Sequence, residues 1–447
     1  MKLRPTTSTL NTMTVRFFYM ILFIGYTFQT SFGQSASDML EKWQPGWMDI
    51  HHINTGRGDA AYFIFPDGTT LLVDAGEMSP YGSRIGTARN ARMHPDSSRT
   101  AAQWIVDYIR QFAPKERDVV IDYAMITHFH ADHYGELHQD SKTAENGAYQ
   151  LSGITEVGDL IPIKMMLDRG YPDYQYPVPL TGPDARQLLA FNPLYAQWFK
   201  TFNNYQRFIE YHQEKNGMHA AALKAGSNRQ IVLKYDPGSY PGFGLRNIKS
   251  NGSFWTGEGE ETYAYFPDFS NTPATERPGE NPLSNAIRLT YGDFDYFTGG
   301  DMPGIADLGK PHWLDLETPT AQAVGPVDMV ALNHHGNRDC CNAFFIRTLR
   351  PRVWIQQTWS SDHPGHEVLR RMTSTYLYPG NRDLFATNML EANKQVIGPS
   401  LENAYRSTEG HIVVRVMEGG ASYMVYVLND NNQEREVINA FGPYTSR

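Results

Sequence analysis

Four side chains able to ligate a metal fall within six positions, in Thr127-His128-Phe129-His130-Ala131-Asp132-His133. The apolar residues 119–126 just before them predict a strand that ends at the cluster. Side chains two apart on a strand share a face, so His128 and His130 converge on one side. A turn after them lets Asp132 and His133 reach a second position. Imidazoles beside a carboxylate suit Zn²⁺, or another divalent ion such as Mn²⁺. Such an ion acidifies a water from a pKa of 15.7 to about 7 and polarises the oxygen under attack, which is the chemistry of hydrolysis.

Two further strand ends carry the same residue types. Thr298-Gly299-Gly300-Asp301 places a carboxylate at a glycine bend, where one side chain can bridge two ions about 3.5–4 Å apart. His334-His335-Gly336 closes another predicted strand. Strand neighbours point to opposite faces, so only one of the two histidines is expected to bind directly. His334 is the expected ligand and His335 the one lying behind it or facing substrate; the reverse order stays open. His363, in Ser361-Asp362-His363-Pro364, is a candidate to donate a proton or hold a developing oxyanion, or merely the residue at a helix entrance. Asp132, His335 and His363 are thus the candidate catalytic groups.

The elements that must position these groups are mostly short strands. Residues 49–73 read as hairpins around Gly56-Arg57-Gly58-Asp59 and Pro66-Asp67-Gly68, ending at Asp74-Ala75-Gly76. Ile105, Tyr108, Ile109 and Phe112 recur at helical spacing, predicting an amphipathic helix over 99–112. Strands are predicted at 286–290, 294–298, 327–332, 353–357, 412–417 and 423–428, and helices at 341–349 and 365–372. The stretch of about 140–280 is dense in Tyr, Pro, Asn and Gly, with a helical run at 184–213, and reads as a large insertion over one end of the core. Such loops shape substrate access or merely cap the fold. The pattern as a whole suits two sheets packed face to face with helices outside.

Taken together, Gly-Arg-Gly-Asp-Ala at 56–60, Leu-Val-Asp-Ala-Gly at 72–76, His-x-His-x-Asp-His at 128–133, Asn285, Gly-Gly-Asp at 299–301 and His-His-Gly at 334–336 resemble the metallo-β-lactamase superfamily. The nearest likeness is to the hydrolase domain at the end of the competence (DNA-uptake) channel proteins. The resemblance implies an α/β fold, an αββα four-layer sandwich, with one or two divalent metal ions at the edge between the sheets. It implies His128 and His130 on the first metal, Asp132, His133 and His334 on the second, and Asp301 on both. Asp74, Asp59 and Asn285 would stand behind the ligands. One departure is evident: the superfamily has a further histidine between the cluster and the bridging carboxylate. Here only His138, His212 and His219 lie there, none after a strand and glycine. The first metal is then water-completed, weakly held or absent.

The first 33 residues carry Lys2, Arg4 and Arg16 as their only charges, an apolar run at 17–28, and Ser31-Phe32-Gly33. That is the order of a secretory signal, cleaved to leave a hydrolase domain at 34–447 in the periplasm or outside the cell. No later stretch approaches the roughly 20 apolar residues of a membrane helix. Cleavage takes Lys plus Arg from 39 to 36 against 48 Asp plus Glu, a net charge of −12. So acidic a surface argues against nucleic acid as a partner and leaves a small-molecule or phosphodiester substrate. The adjacent Cys340 and Cys341 are the only cysteines, which excludes a disulfide framework. They stay free or close an eight-membered ring. The function expected is an exported metal-dependent hydrolase acting on a phosphodiester or related ester. The alternatives are a lactone or β-lactam on the same site, and a non-catalytic exported binding module.

Overall fold

Along the strand Ala61–Ile64, Ala61 and Phe63 point to one side while Tyr62 and Ile64 point to the other, and all four are buried. A strand apolar on both faces needs a layer on each side, and that requirement sets the architecture. The computed structural model describes residues 38–180, 183–192, 195–305 and 310–447. The signal sequence expected at 1–33 lies outside them.

Among the described residues the strands form two nine-stranded mixed sheets. The first contains β1 (Met48–His52), β2 (Ala61–Ile64), β3 (Thr70–Val73), β4 (Ile121–Met125), β5 (Ile163–Asp168), β6 (His219–Ala222), β16 (His411–Val416), β17 (Ser422–Leu428) and β18 (Val437–Thr445), in the order β18-β17-β16-β1-β2-β3-β4-β5-β6. The second contains β7 (Phe243–Ser250), β8 (Ser253–Trp255), β9 (Thr262–Ala264), β10 (Ala286–Tyr291), β11 (Phe294–Thr298), β12 (Met329–Ala331), β13 (Val353–Gln356), β14 (Asp383–Ala386) and β15 (Tyr405–Ser407), in the order β15-β14-β13-β12-β11-β10-β7-β8-β9.

Between the sheets pack Ile50, Phe63, Leu71, Ile287, Leu289 and Met329. Behind the first sheet, Ile105 and Ile109 of the helix Ala101–Phe112 and Phe202 and Phe208 of Tyr195–Asn216 cover Tyr62 and Leu72. Behind the second, the helices Ala343–Leu349 and His366–Thr373 bring Phe345, Ile346 and Leu369 against Val330 and Trp354. Each such side chain contributes about 1.5–3 kcal/mol by leaving water, so the three apolar layers hold the αββα sandwich together. The helix Ala101–Phe112 starts where Thr100 accepts from the Gln103 amide and Gln103 reaches back, a capping box that satisfies two otherwise free donors.

Two parallel pairings set the site. β3 pairs with β4 through Leu71↔Tyr123, and β11 with β12 through Tyr296↔Met329. The carboxyl ends of these strands lead to Asp74, His128, Asp301 and Asn333 respectively, all at one edge of the sandwich, where open parallel sheets bind ligands.

The stretch of about 140–280, expected to be an insertion over one end of the core, contributes strands to both sheets. That stretch supplies β5 and β6 to the first sheet and β7, β8 and β9 to the second. Its helices Pro183–Phe191 and Tyr195–Asn216 pack in the layer behind the first sheet.

Candidate metal centre

His128 follows β4, and the chain turns immediately into the short helix Ala131–Tyr134. The turn is clamped from beneath by two glycine loops. The Asp59 amide donates to Asp132 O at 2.7 Å, the Ala75 amide to His133 O at 2.8 Å and the Glu77 amide to Ala131 O at 3.0 Å. A Cβ at Gly58 would lie 2.3 Å from Asp132 O and one at Gly76 2.0 Å from it, so only glycine permits this approach. Asn285 braces the other side. Its backbone amide donates to Thr127 O and its Nδ2 to Ile126 O, both at 2.9 Å.

Asp301 stands at the middle, 2% exposed, with one oxygen toward each of two groups. Oδ1 lies 3.1 Å from His133 Nε2 and 3.4 Å from His335 Nε2, and Asp132 Oδ2 is 3.3 Å from the same His335 nitrogen. Oδ2 lies 3.6 Å from His128 Nε2, which is 3.0 Å from His130 Nδ1. In each set, Asp132–His133–His335–Asp301 and His128–His130–Asp301, the ligand atoms lie within 4.8 Å of one another. His133 Nε2, His335 Nε2 and Asp301 Oδ1 are buried and make no hydrogen bond. Buried polar atoms left without partners are costly, and a cation held by these lone pairs would satisfy them. The residues present therefore fit a divalent ion.

Electrostatics agree. Burial disfavours charge on His133, but Asp301, Asp132 and Asp74 outweigh it and hold the imidazole well above its usual range. His335 behaves alike under Asp59, Asp301 and Asp132. Burial works against Asp301 as an anion, yet His133, His335, His334 and His128 pull it well below the usual carboxylate range. His128 and His130 are pushed down, by burial first. Protons thus balance a pit of carboxylates, and a cation entering it displaces them.

Behind the pit, His133 Nδ1–H donates to Asp74 Oδ2 at 2.8 Å, and the Thr127 amide and hydroxyl each donate to Asp74 at 2.7 Å. Asp59 Oδ1 faces His335 Nδ1 at 3.1 Å. Such carboxylates fix the tautomer and ring angle of a ligating histidine. Asp74 and Asp59 thus lie behind the rings of His133 and His335, and Asn285 braces the backbone before His128.

The histidine pair needs correcting. His335, not His334, joins Asp132 and His133. Strand alternation fails because β12 ends at Ala331 and both histidines are left-handed, with φ 44° and 53°. His363 is 2% exposed and stacks on His335 with centroids 4.7 Å apart; it lines neither cavity described below. Its ring also packs edge-on against Trp359, with centroids 5.0 Å apart. His138, His212 and His219 stay away: His138 serves the Asp140 amide, His212 bonds Tyr149 and Asn216, and His219 is exposed on β6.

Sequence reasoning missed Glu280. It accepts from the Phe129 amide at 3.0 Å and from Arg169 Nε at 2.9 Å, so it pins the backbone between His128 and His130. The Arg169 guanidinium, outweighing burial, keeps that carboxylate ionised. Two cavities meet at His130 and the strap Arg277–Glu280. One, of about 410 Å³, has Val178, Leu180, Leu188, Phe191 and Trp198 on its walls. The other, of about 780 Å³, has the charged Lys310, Arg338, Asp339 and Glu367 among its walls.

No family model and no curated protein matches this chain. Similar solved structures include a point mutant of the CmlA β-hydroxylase, 10% identical with a TM-score of 0.35, aligned over 84% of this chain and 55% of that one. The chain thus spans only about half of that protein. Zn²⁺-bound PqqB from Methylobacterium extorquens is 10% identical with a TM-score of 0.35, over 82% of this chain and 99% of that one. YhfI from Bacillus subtilis, a metallo-β-lactamase fold protein, is 12% identical with a TM-score of 0.33, over 82% and 98%.

Proposed function

We propose that this protein is an exported metal-dependent hydrolase of the metallo-β-lactamase superfamily. The observation that carries the reading is Asp301, with one carboxylate oxygen set among His133 and His335 and the other beside His128. Two divalent ions held there, zinc in preference to manganese, would supply an acidified water and polarise the oxygen under attack. Asp132, His133, His335 and Asp301 hold one ion, and His128, His130 and Asp301 the other.

The chain's own groups do the rest. Asp132, whose side chain is 13% exposed against 3% for Asp301 and 1% for His335, is the carboxylate of the group most open to an attacking water and would take its proton. His130 forms a wall of both cavities, so the scissile bond lies beside it with one substrate arm in each. The volumes, about 410 and 780 Å³, suit a small molecule rather than a polymer. Lys310 and Arg338 in the larger cavity and the motif likeness to the competence-channel domain favour a phosphodiester or related ester. Val178, Leu188 and Trp198 in the smaller one favour a second reading, a lactone or β-lactam.

The test is to strip the protein with a chelator and reload it with Zn²⁺ or Mn²⁺. It is then offered bis(p-nitrophenyl) phosphate, a p-nitrophenyl carboxylic ester, a lactone and a β-lactam. Turnover of at least one, abolished by chelation and restored by metal, is expected. Ions bound with no turnover of any would leave a binding module instead.

A further inference from the structure

We infer that His334 is the third imidazole of the ion position held by His128, His130 and Asp301, standing in for the histidine the chain lacks between 133 and 301. This rests on the reading of the site as a metal centre and deepens it.

Three observations converge. The first is where the two left-handed residues aim their rings. His335 Nε2 lies 3.4 Å from Asp301 Oδ1, while His334 Nε2 lies 3.8 Å from Oδ2, the oxygen that His128 Nε2 approaches at 3.6 Å. Consecutive residues thus serve opposite oxygens of one carboxylate. Positive φ at two successive histidines is strained backbone, of a kind that persists where surroundings impose it and clusters at functional sites. The second is the backing of the rings. His334 Nδ1–H donates to Asp339 Oδ1 at 2.6 Å. Asp74 receives His133 Nδ1–H in the same way, at 2.8 Å. A carboxylate on Nδ1 leaves Nε2 as a lone pair, the form a metal requires. The third is elimination. Of the histidines between 133 and 301, His138 and His212 have other partners and His219 faces solvent.

His334 Nε2 accepts from Asn281 Nδ2 at 3.0 Å. An ion there takes that lone pair, and Asn281 turns away. Its Oδ1 is buried without a partner, so the amide is not locked in place from its other side. Asn281 is then a placeholder, and removing it leaves metal binding intact.

The test is metal stoichiometry and affinity, by titration calorimetry with Zn²⁺ and elemental analysis, on chelator-stripped full-length protein. Wild type, His334→Ala, Asp339→Asn and Asn281→Ala are compared, with circular dichroism to confirm folding. The wild type is expected to bind two ions per chain and H334A one, with the remaining site unchanged. D339N should bind two, the weaker by about 10–100-fold less tightly. N281A should bind two as wild type does. Cobalt substitution gives an independent reading, since one of two visible-band sets should vanish in H334A. Two ions in H334A at wild-type affinity would overturn the inference, as would one ion in the wild type, or loss in N281A equal to that in H334A. Should H334A not fold, an undiminished second site in D339N overturns it equally. A wild type that binds no ion at all defeats the hydrolase reading beneath it, a separate outcome.

Discussion

Among the described residues, two buried clusters hold residue types that ligate metals, and only one is built to do so. Around Asp301, carboxylates face imidazole nitrogens that make no hydrogen bond. In the other, Glu317 sits with Cys340 and Cys341, a trio whose ligand atoms also lie within 4.8 Å of one another. There the carboxylate is fully engaged. It accepts from Asn333 Nδ2 at 2.8 Å, the Cys341 amide at 2.7 Å and the Asn342 amide at 2.6 Å. Burial pushes Glu317 up to about 7, and burial holds the Cys340 thiol well above its usual range. The first cluster is charged and short of partners; the second is close to neutral and complete. Residue type nominates a metal site, but unmatched lone pairs make one.

The sharpest way to break that distinction is to remove one carboxylate from each. Asp301→Ala is expected to lose both ions and to bring hydrolysis to background, because each position loses its shared oxygen. Glu317→Gln is expected to keep both ions. Its amide offers one oxygen where two accepted, so a backbone donor loses its partner at a cost of about 1–3 kcal/mol. Elemental analysis with thermal unfolding separates the two. A Glu317→Gln protein that loses metal as Asp301→Ala does would erase the comparison.

Most of this contrast was hidden from the sequence, whereas the outline of the fold was not. Strands such as β10 and β11 announce themselves through β-branched and aromatic residues around Gly292-Asp293, and Asp301 and His128 stand at strand ends where local pattern can place them. β6 and β9 do not: His-Ala-Ala-Ala and Thr-Tyr-Ala are partly or wholly exposed and show no alternation. Their pairing depends on partners far along the chain. The order of His334 and His335 failed for a related reason. Alternation is a property of extended backbone, and the chain stops being extended at Leu332. Glu280 and Arg169, 111 residues apart, carry no local mark at all.

A gentler probe is pH. His133 and His335 are held above the usual imidazole range in the stripped protein. Their protonation therefore stabilises the fold fully below about pH 6.5, and that contribution fades as pH climbs through the raised values. Glu317, held up to about 7 against an ordinary 4.5, loses its contribution between those two values whether or not metal is present. Above pH 7 only the imidazoles distinguish the two forms. The melting temperature of stripped protein should fall further as pH rises from 7 to 9, while that of loaded protein should not. Parallel curves would mean that the Asp301 cluster holds its protons for reasons unconnected with a cation.

The smallest effect belongs to the thiols. Cys340 and Cys341 are free and buried, their sulfurs 3.7 Å apart, and Cys340 Sγ–H donates to Asn337 O at 3.1 Å. They pack in the layer of Phe345 and Ile346, so their work is to fill space behind the loop that carries the histidines. Replacing both by alanine removes two sulfur atoms from a close-packed layer, at a cost of roughly 1–2 kcal/mol. Zn²⁺ stoichiometry and affinity should not change, because no ion is held there. A double variant that binds one ion fewer would make the trio a third metal site and would show that a carboxylate already holding three donors can still exchange them for a cation.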